Sequence, residues 1–211
     1  MIRACRPLGL STAVPAGTAA RARVAPAVAV AALVASLLAG CTGGLAAERS
    51  TGGYIQGDYT IDVVDADQRE PAPEVSGQTL DGDQVALSDY AGRTVVLSIW
   101  GSWCPPCREE ADELVAAEQE LGDGVAFLGV DIRDTESNAR AFERTYDISW
   151  PSIVDQDSSQ LLGFRDTSLP PPASPPTIYV IDPQGRLGAL IASSDLTTQT
   201  LVDVVDEVAH G

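Results

Sequence analysis

The sequence predicts a layered α/β fold, a central mixed β-sheet flanked by helices, on three observations. Two apolar runs, Thr94–Trp100 and Val125–Ile132, are continuous rather than alternating, as in strands buried on both faces. Each is followed by a segment with apolar residues at helical spacing. A hairpin pattern and one more helix then close the chain.

Taken in order, residues 58–64 read as an extended segment with no firm place. Pro71 and Pro73 precede a strand over 75–80, and Asp81-Gly82 is a hairpin turn before a second strand over 84–87. After the first apolar run, Leu114, Val115, Glu118 and Leu121 recur at helical spacing, with Glu118 the polar exception, and Gly122 and Gly124 stop that helix. The span 135–146 places Ala139, Phe142 and Tyr146 on one side of a second helix. A short strand is expected over 152–154 and a helical turn over 160–164. Pro170, Pro171, Pro172, Pro175 and Pro176 form a rigid loop. Thr177–Ile181 and Leu187–Ala192 are antiparallel partners around the turn at 182–185, and Leu201, Val204, Val205 and Val208 mark the last helix.

Composition narrows the function. The 211 residues are 45% hydrophobic and 20% charged, which suits one globular domain behind an N-terminal segment. A net charge of −17 argues against a nucleic-acid partner, which requires a basic face. All thirteen basic residues are Arg, so Schiff-base and Walker-type phosphate chemistry lack their lysine. His210 is the only histidine, which leaves little room for Ser-His-Asp catalysis, Cys-His proteolysis or histidine-based zinc sites. No metal and no cofactor are expected.

The N-terminus reads as an address. Residues 1–40 hold Arg3, Arg6, Arg21 and Arg23 and no acid, and an apolar run over 24–38 is too short to span a bilayer but suits a signal peptide. Its end, Leu38-Ala39-Gly40-Cys41, resembles the bacterial lipobox, in which cleavage precedes a cysteine whose sulfur carries lipid. The alternatives are an uncleaved signal anchor and a secretory signal with a chance cysteine. Cleavage before Cys41 leaves nine Arg against all 30 acids, a net charge of −21, so attachment must come from lipid and not from a basic patch. The expected organisation is a lipoprotein signal peptide over 1–40, a lipid anchor and flexible tether over 41–70, and a folded domain over 71–211. Cys5 lies in the removed part.

The chemistry concentrates in Trp103-Cys104-Pro105-Pro106-Cys107, which closes a buried strand and opens a helix. This spacing lets two sulfurs bond across one helical turn. Cys104 falls at the helix N-terminus, where free N–H groups and the dipole favour thiolate, so it is the expected nucleophile. Cys107, one turn inside, is the expected resolving thiol. Proline is tolerated in a first helical turn. A zinc site would need two further ligands, and the other bland reading is an inert staple; exchange is the ordinary use of such a pair.

On these residues, the chain from about Pro73 to Val208 resembles the TlpA/ResA-like branch of the thioredoxin superfamily. That resemblance implies a thioredoxin fold with an N-terminal β-hairpin addition, carried by Ala72-Pro73-Glu74-Val75, Ser88-Asp89-Tyr90 and Gly92. It implies thiol-disulfide exchange on the outer face of the cell membrane, often as a reductant in cytochrome c maturation. The partners it implies are protein thiol or disulfide substrates and a membrane electron donor, such as a thiol-reducing transmembrane protein. Pro176 matches the family's cis-proline opposite the redox pair, with loop stiffness as the alternative role. The residue before it presents backbone to the substrate strand, and here Pro175 has no N–H to give. Glu110 matches an acid near the thiols that moves the Cys107 proton and raises thiol pKa values. Otherwise Glu109, Glu110, Asp112 and Glu113 are a solvated first turn. Ser98 stands where relatives keep a buried Asp or Asn, and Asp112 where many have a helix-kinking Pro. Trp103 either contacts substrate or shields the disulfide. Trp100 and Trp150 are expected in the core, and Asp155, Asp157 and Asp166 on solvated faces.

Two other functions remain open at this point. The same pair run in reverse is an oxidant that introduces disulfides, and the Pro105-Pro106 dipeptide does not decide the potential. A non-catalytic binding lipoprotein is opposed by the intact cysteine pair. A peroxidatic cysteine preceded by a Thr two turns earlier does not occur.

Overall fold

A computed structural model describes residues 54–55, 60–192 and 194–211. The main sheet has seven strands: β1 (Tyr54–Ile55), β2 (Thr60–Val63), β5 (Thr94–Trp100), β6 (Val125–Ile132), β7 (Ser152–Asp155), β8 (Thr177–Ile181) and β9 (Leu187–Ala192). Their order is β1-β2-β9-β8-β5-β6-β7. β5, β6 and β7 run parallel, and the neighbouring pairs β5–β8, β8–β9, β9–β2 and β2–β1 are antiparallel. The hairpin β3 (Ser76–Gln78) and β4 (Gln84–Ala86) forms a separate two-stranded sheet. Gly82 holds the turn at φ 96°, which glycine adopts without strain.

All seven residues of β5 are buried, so its side chains alternate between two cores. Val95, Leu97 and Ile99 face the hairpin side, with Leu87, Leu161, Phe164 and Tyr179. Val96 faces the helices α1 (Pro105–Leu121) and α3 (Thr198–His210), with Leu114, Ala117, Leu201 and Val205. Trp100, at the end of β5, stacks on Phe142 of α2 (Glu136–Tyr146), ring centroids 4.6 Å apart. Trp150 packs on Phe127, so both tryptophans are core as expected.

Two expectations need correction. The tether was expected to reach residue 70, but β2 pairs with β9 along four residues, and the Val64 N–H donates to the Gly188 carbonyl at 2.8 Å. The folded part therefore includes residues that lack the pattern of a half-buried strand; each residue of β2 is partly exposed. The buried stripe of α1 is Cys107, Glu110, Ala111, Leu114 and Ala117, one turn N-terminal to the apolar spacing read from the sequence. The lipobox at 38–41 and the signal segment lie outside the described residues. Among the described residues, no helix is long and apolar enough to cross a membrane.

Candidate active site

β5 delivers the chain to the site through Gly101. A Cβ there would meet the Trp103 ring at 2.6 Å, so glycine is what lets the indole fold back. Cys104 is the N-cap of α1, with extended backbone (φ −87°, ψ 111°), and its N–H donates to the Gly101 carbonyl at 3.0 Å. Pro105 and Pro106 occupy the first turn, where their missing donors cost nothing. The Cys107 N–H donates to Cys104 Sγ at 3.2 Å, so this sulfur receives the helix terminus. Cys104 and Cys107 form a disulfide with Cα atoms 5.3 Å apart, and each residue is 2% exposed.

The segment before Cys104 is pinned from β6. Asp134 accepts the Ser102 N–H through Oδ2 and the Thr135 N–H through Oδ1, both at 2.7 Å. The Trp103 indole N–H donates to the Ile132 carbonyl at 3.0 Å, and the Arg133 guanidinium lies 5.1 Å from the ring centroid. Trp103 is nevertheless 43% exposed, which leaves its outer face free for contact. On the opposite side, Pro106, Pro175, Pro176 and Thr177 border a groove of about 360 Å³, and the Pro175–Pro176 peptide bond is cis.

Beneath the pair, Glu110 shares a narrow cavity with Ser98, Trp100, Cys107 and Trp150. It is 3% exposed, one carboxyl oxygen has no hydrogen-bond partner, and burial pushes its pKa up to about 8. The four acids of this helix start are thus not equivalent. Glu109 and Asp112 are exposed, while Glu113 accepts the Thr198 hydroxyl at 2.6 Å and the Thr198 N–H at 2.7 Å at the start of α3, bonds that lower its pKa. The solvated-turn reading fails for Glu110, while Glu113 is half-exposed and tied to α3. It also fails for Asp155, which is buried and accepts N–H groups of Ser159 and Gln160.

Sequence reasoning missed Asp131. It lies on β6 in register with Trp100, is 1% exposed, and neither carboxyl oxygen has a hydrogen-bond partner. Burial, then the charges of Asp134 and Glu143, raise its pKa to about 8. The available signal was a lone acid inside an otherwise apolar strand.

A buried disulfide at a helix start, an acid beneath it and a proline groove beside it make a site for thiol exchange. The sequence profile of the AhpC/TSA family matches residues 69–189. The chain belongs to this family. It is similar to the thioredoxin-like protein YneN of Bacillus subtilis (strain 168), 30% identical over 138 residues that cover 64% of this chain and 77% of that one. Thiol-disulfide oxidoreductase ResA of the same organism is 24% identical over 141 residues, covering 66% and 75%. Among solved structures, a DsbF homologue from Corynebacterium diphtheriae is 34% identical with a TM-score of 0.62, and a secreted thiol-disulfide isomerase from Corynebacterium glutamicum is 29% identical with a TM-score of 0.65. Each of these matches covers 74% of this chain and 98% of the other. This AhpC/TSA member is a thioredoxin-like thiol-disulfide oxidoreductase, ResA-like, with Cys104–Cys107 as its CxxC disulfide.

Proposed function

We propose that this chain reduces protein disulfides on the outer face of the cell membrane, held there by lipid on Cys41. Cys104 is the attacking thiol, Cys107 the resolving thiol, and Glu110 the acid that takes the Cys107 proton. The observation that carries this reading is the placement of Glu110, buried three residues after Cys107 on the same helix face with an unpartnered oxygen.

The electrons balance in two exchanges. Cys104 thiolate attacks one sulfur of the substrate disulfide, forming a mixed disulfide and releasing one substrate thiolate, which takes a proton. Cys107 then loses its proton to Glu110 and attacks Cys104 Sγ, which releases the second substrate thiolate and leaves Cys104–Cys107 oxidised. An acid with a pKa of about 8 suits a base working near neutral pH. Trp103 and the Pro175–Pro176 groove flank the sulfur and are the surfaces offered to substrate. Two electrons must return from a membrane donor, for which a thiol-reducing transmembrane protein has the right chemistry, and maturation of c-type cytochromes is the physiological setting the reading favours.

Burial of both cysteines disfavours thiolate and so supports a reductant. One observation favours the opposite direction: the Cys107 N–H on Cys104 Sγ stabilises the thiolate, and a stabilised reduced form makes an oxidant. The reduction potential decides. A value below about −200 mV, toward the roughly −270 mV of a thioredoxin, fits the reductant, and one near −120 mV assigns the oxidant. Cys107→Ser is expected to accumulate a mixed disulfide through Cys104, and Cys104→Ser none; first alkylation of Cys107 would reverse the roles. For the anchor, mass spectrometry of protein from its native membrane should find the N-terminus at Cys41 with lipid mass. A soluble form with a free Cys41 thiol would contradict it.

A further inference from the structure

The arginines of the described residues are used unevenly. Arg69, Arg140 and Arg186 face carboxylates, while Arg93 and Arg108 donate to backbone carbonyls. Among the described residues, Arg133, Arg144 and Arg165 have neither kind of partner. Two of these three, Arg133 and Arg165, line one cavity of about 220 Å³ together with Ile132, Ser158, Pro172 and Ser174. Three residues of its lining also neighbour the redox motif. Ile132 accepts the Trp103 indole N–H, Arg133 lies over that ring, and Ser174 also lines the groove that holds Pro106 and Pro176.

A second feature marks Arg133. Its φ is 52°, a left-handed conformation that side-chain-bearing residues seldom adopt and that the surroundings must hold, here through its N–H on the Asp155 carbonyl at 3.2 Å. Three carboxylates close to these residues in sequence already accept other donors. Asp134 accepts from Ser102 and Thr135, Asp155 from Ser159 and Gln160, and Asp157 from Ser159. Among the described residues, two arginines therefore line this cavity with no carboxylate paired to them.

We infer that this cavity is a carboxylate subsite, which docks an acidic segment of the protein substrate while the substrate cysteine reaches Cys104. The inference rests on the reading of Cys104–Cys107 as the exchange site and adds the class of substrate. Guanidinium forks pair with carboxylates in two-point geometry, and the serine hydroxyls of Ser158 and Ser174 suit the same oxygens. A net charge of −17 repels an acidic protein as a whole. At physiological salt that repulsion is screened beyond about 8 Å, so the local pair of arginines decides the contact.

The test uses disulfide peptides matched in length, with Glu, Gln or Arg beside the cysteine. At low salt the Glu peptide is expected to show kcat/KM about tenfold above the Gln peptide. Arg165→Gln is expected to bring the Glu peptide down toward the Gln level through KM, with the Gln peptide unchanged. Equal turnover of both peptides by the unaltered protein would overturn the inference, as would an equal loss on both in the variant. Peptides with Ser for Cys separate this from the chemistry. The Glu version should shift the Trp103 indole N–H resonance, and an unshifted resonance overturns the subsite whatever the kinetics. A shift without turnover of any disulfide peptide overturns the exchange reading and leaves the subsite standing. A low-molecular-weight disulfide bearing free carboxylates that shifts the resonance more strongly than the Glu peptide overturns the protein source of the ligand.

Discussion

Asp182 and Glu110 are both carboxyls buried against the sheet, and they behave in opposite ways. Asp182 follows β8, whose end pairs with the start of β5, so it sits at the far end of the sheet from the cysteines. Burial alone would raise its pKa, but the Arg186 N–H at 2.9 Å, the Arg186 guanidinium at 2.8 Å and Arg69 outweigh that, and the net shift is downward. Glu110 meets no cation and keeps one oxygen unpartnered, so burial wins and its pKa rises to about 8. The same chemical group stays ionised where its partners are supplied and holds its proton toward neutral pH where they are withheld.

If that contrast is right, removing each acid has opposite effects on stability. Asp182→Ala is expected to destabilise by about 3 kcal/mol, because it strands buried Arg69 and breaks the turn, while leaving the potential of Cys104–Cys107 unchanged. Denaturant unfolding and a redox titration check both halves, and a shifted potential would blur the distinction between the two ends.

Glu110→Gln is expected to stabilise by roughly 2–4 kcal/mol at pH 8. A pKa raised from 4.5 to about 8 means the native chain holds a proton that the unfolded chain has released. This acid's contribution is therefore fully present below about pH 4.5 and lost as pH rises toward 8. Asp131 titrates in the same window, so the variant should keep part of the downward slope of stability with pH, and Asp131→Asn should remove much of the rest. A slope untouched by Glu110→Gln would mean that Glu110 is hydrated after all.

A smaller effect is expected at the groove. Pro175→Thr restores an N–H beside the groove offered to substrate in the proposed mechanism, and KM for a peptide disulfide should then fall by a few-fold, about the worth of one hydrogen bond. An unchanged KM would mean that substrate does not pair with this backbone.

The two ends also differed in how far the sequence revealed them. Cys104, Cys107 and the run into them were legible because continuous apolar strands, a helix start and a cysteine spacing are local patterns. Glu110 was legible as a candidate only through resemblance, since four acids in one turn look alike until packing selects which one points inward. The Asp182 network depends on Arg69, 113 residues away, on a segment read as tether. Asp131 and the cavity of Arg133 and Arg165 likewise depend on where separate elements meet, which no periodicity reports.

The most direct test of the account is thiol alkylation against pH in the reduced protein, comparing Glu110→Gln with Glu109→Gln. Ionisation of Glu110 near pH 8 should oppose thiolate formation, so the unaltered protein is expected to titrate in two coupled steps. Glu110→Gln should collapse these to one step at lower apparent pKa and slow resolution of the mixed disulfide at neutral pH, while Glu109→Gln behaves as the unaltered protein. Equal small shifts in both variants, with unchanged turnover, would contradict a working role for the buried acid.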